Sequence, residues 1–337
     1  MKICFGFSSQ HEHLLDPDYS ENNPVGGSET AMLWMGKELS KLGHDISYVR
    51  YPEVAPACDV FISLRVWQEF YKGNYPGKQN YLWCQDDVDQ PLVNELRNPK
   101  VAQSVYDKLD GVFTISNYQQ RRWVQTLNLP VSKAILTRNG IPSHLFKFDH
   151  LPDKEPWAYY SSTPFRGLDI LCASWENIHK QVPGSQLHVF SSMKVYSVGD
   201  DKAQEAMYAT LKALPGVVYH GSVGQKELRE TTARCRVLAY PCTFAETSCI
   251  TAMEAMASGC AVVSTNIGAM PETAWGNPLV TPQGDWIPTW ENMVADVLSS
   301  NLQISYRNLF TASLYDWSDV ARQWDRIFLS DNCLLFA

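Results

Sequence analysis

Short runs of consecutive apolar residues recur along the chain, separated by stretches in which apolar positions return every three or four residues. In the first half the runs fall at residues 2–8, 45–50, 60–64, 80–84, 112–116 and 134–137, lengths that suit buried strands rather than helices. Helical patterns lie between several of them. The one opening near residue 27 carries Ala31, Met35, Leu39 and Leu42 on one stripe. This alternation predicts a doubly wound α/β sheet with ligands at the carboxyl ends of its strands. A polar stretch at 144–156, punctuated by Pro152 and Pro156, reads as a linker. The pattern then restarts, with strands expected at 157–161, 186–190, 217–219, 237–240 and 261–264. Helices are expected at 167–181, 203–213, 225–234, 287–299 and 305–329. The last has a Trp-rich apolar face of Tyr315, Trp317, Val320, Trp324 and Phe328.

The segment from Phe244 to Gly259 carries the chemistry. Ser248 is expected to cap a helix that Gly259 ends. From residue 250 to 257 this helix is apolar nearly all round. Glu254 is its only charge, on the same side as Ile250 and Ala257. A carboxylate facing packed protein is costly unless something hydrogen-bonds it. Glu246 lies in the loop before the helix, beside the N–H groups of Thr247, Ser248, Cys249 and Ile250. Free amides at a helix start suit a phosphate or a sugar oxygen, and an acceptor-only carboxylate suits paired hydroxyls such as those of a ribose. The alternative is that Glu254 pairs with a core arginine while Glu246 decorates a loop. The two glutamates together, with the cap and the glycine stop, favour a ligand.

In the frame Phe-x-Glu-Thr-x-x-x-x-x-x-Glu-Ala-Met-Ala-x-Gly, these glutamates resemble the donor site of the family 4 retaining glycosyltransferases. The resemblance implies the GT-B fold: two Rossmann-like domains, expected at 1–150 and 151–314, with residues 315–337 crossing back to the first. It implies that Glu246 touches the transferred sugar, Glu254 holds the nucleotide ribose and the intervening amides hold the diphosphate. Gly26-Gly27-Ser28-Glu29 is similar to the family's Gly-Gly-x-Glu, which lies across from the donor phosphates. The family's phosphate loop has an arginine five residues before a Lys-Gly. Here Ser161 and Arg166 take those positions, so one of two cations is missing, and Lys194, beside Val195 and Tyr196, is a candidate replacement. Where the family often has His-Asp, this chain has Gln85-Asp86. Glutamine can orient an acceptor hydroxyl but cannot take its proton.

The implied activity is a retaining, metal-independent transfer from a nucleoside diphosphate sugar to a hydroxyl on a glycan or glycoconjugate, with no cofactor. Asp86, Gln85 and Glu246 are its candidate catalytic residues, and no residue stands out as a covalent nucleophile. Two rivals share these features: a catalytically inactive sugar-nucleotide-binding module, and a sugar-nucleotide epimerase of the same fold. A phosphorylase would need a pyridoxal-phosphate lysine, which no motif supports.

Composition narrows the picture further. A net charge of −8 argues against nucleic acid as the main partner. No apolar run approaches the roughly 18–20 residues of a membrane helix, and the opening residues turn polar too quickly for a secretory signal. Arg121, Arg122 and Trp123 could meet a lipid headgroup, but two basic residues are too few to claim it and a solvated helix face is the default reading. Nine cysteines without a Cys-x-x-Cys pair suggest reduced thiols and a cytoplasmic setting. Cys249, at a helix start, is either an acidified thiol or a bystander. His11 and His13 have no third ligand at metal-binding spacing, and no Gly-x-Gly-x-x-Gly follows the first strand.

Overall fold

The computed structural model describes residues 1–8, 18–146, 153–196, 198–300 and 304–330. The chain divides into two compact units. The first holds the N-terminal strand, Gly27–Gly140 and the helix from Trp317; the second holds Asp18–Gly26 and Ile141–Asp316.

In the first unit, strands β1 (Lys2–Phe7), β2 (Asp45–Arg50), β3 (Cys58–Leu64), β4 (Gly77–Trp83), β5 (Gly111–Thr114) and β6 (Ala134–Leu136) form one parallel sheet in the order β2-β1-β3-β4-β5-β6. Helix α1 (Tyr19–Asn22) precedes α2 (Gly27–Lys41), which joins β1 to β2; α3 (Gln68–Lys72), α4 (Pro99–Tyr106) and α5 (Asn117–Thr126) follow. β1 is buried from its second residue and β5 throughout, as strands covered on both faces must be. Helix α2 approaches β2 closely at Gly36, where an added Cβ would stand 1.9 Å from the Tyr48 hydroxyl.

The second sheet, also parallel, runs β12-β11-β10-β7-β8-β9. Its strands are β7 (Trp157–Ser161), β8 (Gln186–Phe190), β9 (Val217–Tyr219), β10 (Val237–Tyr240), β11 (Ala261–Thr265) and β12 (Leu279–Val280). Helices α6 (Leu168–Gln181), α7 (Lys202–Ala213), α8 (Gln225–Thr232), α9 (Ile250–Ala257), α10 (Met270–Thr273), α11 (Ile287–Ser299) and α12 (Ile304–Ser313) surround it. The final helix, α13 (Trp317–Leu329), belongs to the first unit. There Trp324 stacks on Phe113 with centroids 4.0 Å apart, and its Nε1 donates to Thr137 Oγ1 at 2.9 Å. Phe328 lies 5.4 Å from the Tyr81 ring. Each such buried aromatic contributes roughly 2 kcal/mol or more of apolar burial.

Three expectations are revised. The helix expected at 305–329 is two helices. Tyr315 breaks it, because its hydroxyl donates to Thr273 O at 3.0 Å while its carbonyl accepts from Ile141 N at 2.7 Å. The change of unit comes at 140/141 rather than 150/151, ahead of the polar stretch. Asp18–Gly26, expected in the first domain, clusters with the second. The α1 backbone lies on the N-terminus of α8, where a Cβ at Gly224 would stand 2.4 Å from Glu21 O.

Candidate functional site

Pairing of β7 with β10 brings two distant loops together. Val237 lies opposite Ala158 and Leu238 opposite Tyr159, so residues 162–167 and 241–249 emerge side by side at the carboxyl edge of the second sheet. Gly167 makes the approach possible. Its φ is 91°, and a Cβ there would stand 2.2 Å from Pro241 O, a contact only glycine tolerates.

Glu246 is 5% exposed. Its Oε1 accepts from the Arg166 guanidinium and from the Tyr240 hydroxyl, the latter at 2.5 Å. Arg166 also lies over the Phe244 ring at 4.4 Å and the Phe165 ring at 5.6 Å. The Glu246 backbone is fixed from β11's loop: Ala269 N donates to its carbonyl at 2.7 Å, and a Cβ on Gly268 would stand 2.4 Å from that oxygen. Glu246 therefore does more than decorate a loop, since its ion pair joins it to Arg166, the expected phosphate cation.

The helix start departs from expectation. Cys249, not Ser248, takes the cap position of α9, with φ 50° in the left-handed region and no side-chain cap. Its thiol is not acidified, because burial pushes it well up and Glu246 pushes it further. Ser248, 2% exposed, leaves its Oγ without a hydrogen bond, as do Thr251 Oγ1, Thr163 Oγ1 and Arg166 Nε. The backbone N–H groups of Ser248, Cys249 and Ile250 also make no hydrogen bond among the described residues. Buried polar groups are ordinarily satisfied. This concentration of unsatisfied donors on two adjoining loops suits an anion with many acceptor oxygens.

Glu254, on the next turns of α9, is half-buried, and its carboxylate makes no hydrogen bond among the described residues. Burial pushes it up to about 7; Arg229 opposes the shift and Glu21 adds to it. Arg229 itself forks onto Glu21, with Nη1 to Oε1 at 3.0 Å and Nη2 to Oε2. Lys194 is exposed on the short turn Met193–Tyr196 after β8. Asp200 braces that turn through Ser192 Oγ (2.7 Å) and Met193 N (2.8 Å).

The remaining candidates lie elsewhere. Gly26 is buried, and the exposed Gly27 opens α2, the helix expected to start there. In the first unit Gln85 exchanges amide hydrogen bonds with Asn139 at 3.2 and 2.9 Å. Asp86 is 3% exposed and forked by Arg65, with Nε to Oδ2 at 2.8 Å and Nη2 to Oδ1 at 2.7 Å. Its carboxylate is thus committed to the protein. Arg122 is ion-paired with Asp87 and Asp89, and Trp123 is buried with Nε1 donating to Asp86 O, so the Trp123 ring is not offered to the surface. His11 and His13 lie outside the described residues. No described helix is long and apolar enough to cross a membrane.

Sequence reasoning missed Arg65, Glu21, Arg229 and Tyr240. Tyr240 ends a strand already expected to lead into the site, and that was its available signal. The others depend on contacts between residues far apart in the chain.

Residues 159–300, which contain both loops, match the model of the family described as glycosyl transferases group 1. No curated protein matches the chain in sequence. Among solved structures, sucrose-phosphate synthase from Thermosynechococcus elongatus aligns with a TM-score of 0.75 at 15% identity, covering 97% of this chain and 98% of that one. HepE of Anabaena, in complex with UDP and glucose, aligns at 0.71 and 14%, covering 97% and 99%. A glycosyltransferase from Rickettsia africae aligns at 0.70 and 11%, covering 97% of each. The fold is therefore GT-B.

Proposed function

We propose that this chain is a retaining glycosyltransferase that moves a sugar from a UDP-sugar to a hydroxyl acceptor. The carrying observation is the set of unsatisfied donors on residues 163–166 and 248–251 beside Glu246. A donor diphosphate would take the Ser248, Cys249 and Ile250 amides and the Arg166 guanidinium. Glu246, held by Tyr240, would accept from hydroxyls of the transferred sugar, and Glu254 from the ribose. Uracil as the base rests on the UDP in the HepE complexes. With no candidate nucleophile, stabilisation of the leaving diphosphate would be the main catalytic term. The departing phosphate would then take the acceptor proton on the face where the new bond forms.

Calorimetry with UDP-, GDP- and ADP-glucose, on wild type and on Glu246→Ala, Glu254→Ala and Arg166→Ala, tests the site. Each substitution is expected to weaken the preferred donor by about tenfold or more. Unchanged binding in all three variants would end the assignment. Release of UDP in the presence of acceptor separates a transferase from a binding module, which releases none. An epimerase would instead convert the sugar without acceptor or UDP release.

A further inference from the structure

Arg166 and Glu246 face different parts of a sugar nucleotide in the proposed complex, one the diphosphate and the other the sugar. In this structure they are each other's partner, with Arg166 Nη1 donating to Glu246 Oε1. The pair is largely buried: 21% of the Arg166 side chain and 6% of the Glu246 side chain are exposed. Breaking an ion pair withdrawn this far from water is costly, because a charge left alone keeps its desolvation penalty.

Each partner is also held without the other. Arg166 lies over the Phe244 ring at 4.4 Å and the Phe165 ring at 5.6 Å, and aromatic faces retain a guanidinium. Its Nε is sealed and has no hydrogen-bond partner. The guanidinium therefore meets a ligand through its Nη end, which Glu246 already occupies. Glu246 is fixed by Ala269 N on its carbonyl and by the Tyr240 hydroxyl on Oε1 at 2.5 Å. That hydroxyl supplies one hydrogen bond, and no described residue donates to Oε2.

A diphosphate arriving at the Nη end takes the cation for itself and sets its own negative charge beside Glu246. Phosphate oxygens accept hydrogen bonds and return none to the carboxylate. A sugar carried on the diphosphate does return them, because its hydroxyls can donate to Oε1 and Oε2. The same carboxylate is thus compensated when the ligand bears a sugar. It is left to Tyr240 alone when the ligand is a bare nucleoside diphosphate.

We propose that the Arg166–Glu246 pair is a latch that weakens the hold on a bare nucleoside diphosphate and so discriminates spent from sugar-bearing donor, with Tyr240 positioning Glu246 for the exchange. The sugar in this statement rests on the transferase reading above; competition between carboxylate and diphosphate for Arg166 does not. The test is calorimetry on the full chain with UDP, UDP-glucose and inorganic pyrophosphate. Glu246→Gln keeps the shape and removes the competing charge. It is expected to bind UDP and pyrophosphate about tenfold tighter than wild type. UDP-glucose, which loses its charged acceptor, should bind it about tenfold weaker.

Tyr240→Phe should act in the opposite sense, because Glu246 then depends on Arg166 alone. UDP and pyrophosphate are expected to bind this variant about tenfold weaker, and UDP-glucose within about threefold of wild type, since sugar hydroxyls replace the lost donor. A merely disturbed pocket would lose all three ligands alike, so Tyr240→Phe decides the matter should Glu246→Gln fail to fold. Pyrophosphate bound no tighter by Glu246→Gln than by wild type would overturn the proposal. So would an equal loss of all three ligands in Tyr240→Phe, or pyrophosphate binding to neither wild type nor Glu246→Gln. The expected pattern for pyrophosphate with no binding of UDP-glucose to any of the proteins would sink the transferase reading and leave the competition for Arg166 standing.

Discussion

Replacing Glu254 by glutamine removes one ionisable carboxyl and almost no volume. In the folded chain burial pushes that carboxyl up to about 7 from an ordinary 4.5. Between those values the unfolded chain has released the proton and the folded chain still holds it. Stability from this group is therefore complete below about pH 4.5 and is lost as pH rises to about 7. The gap corresponds to on the order of 3 kcal/mol. Glu254→Gln is thus expected to be more stable than wild type at pH 8, by up to that amount, and to match it near pH 4. Urea denaturation of the empty protein at both pH values measures this. With saturating UDP-glucose present the variant's advantage at pH 8 should shrink by about 1–3 kcal/mol. Ribose hydroxyls donating to a carboxylate lose their charged acceptor in the variant, a loss of about 10–100-fold in affinity. A variant less stable than wild type at pH 8, or one that binds UDP-glucose unchanged, would refute the reasoning.

The Glu21–Arg229 fork should tune the same carboxyl in opposite directions. Arg229→Gln removes the charge that lowers it and moves its titration above 7, whereas Glu21→Gln moves it below; carboxyl-carbon NMR reads both, and shifts of one sign would contradict the charge argument. Gly268→Ala, whose Cβ would stand 2.4 Å from Glu246 O at φ 66°, is expected to cost at least ~2 kcal/mol and to weaken UDP-glucose binding. Gly184→Ala is its control: φ is 84° but nothing lies within 4 Å of the added Cβ, so thermal melting should show only about 1 kcal/mol. Equal losses at the two glycines would mean that the close approach at Gly268 is not what matters.

Periodicity alone was enough for every strand but the two-residue edge strand β12, because strands buried on both faces are written as short apolar runs, as at β5 and β10. The Trp-rich face of α13 was equally plain. Its division from α12 was not, since Tyr315 breaks the helix through bonds to Ile141 and Thr273, more than 40 residues away along the chain. Glu246 and Glu254 stood out as carboxylates in an apolar setting. Which nitrogen met Glu246, and that Ser248 would stay uncapped, depended on backbone dihedrals that residue types do not encode.

The sequence by itself determined the alternation of strand and helix, the linker's polarity and the loop that offers bare amides, because each is a property of neighbouring residues. Only the tertiary structure decided that Asp18–Gly26 joins the second unit through Glu21 and Arg229. It also decided that Asp86 serves Arg65 rather than standing open to solvent. A charge finds its partner through space, and strand order sets that distance regardless of separation along the chain.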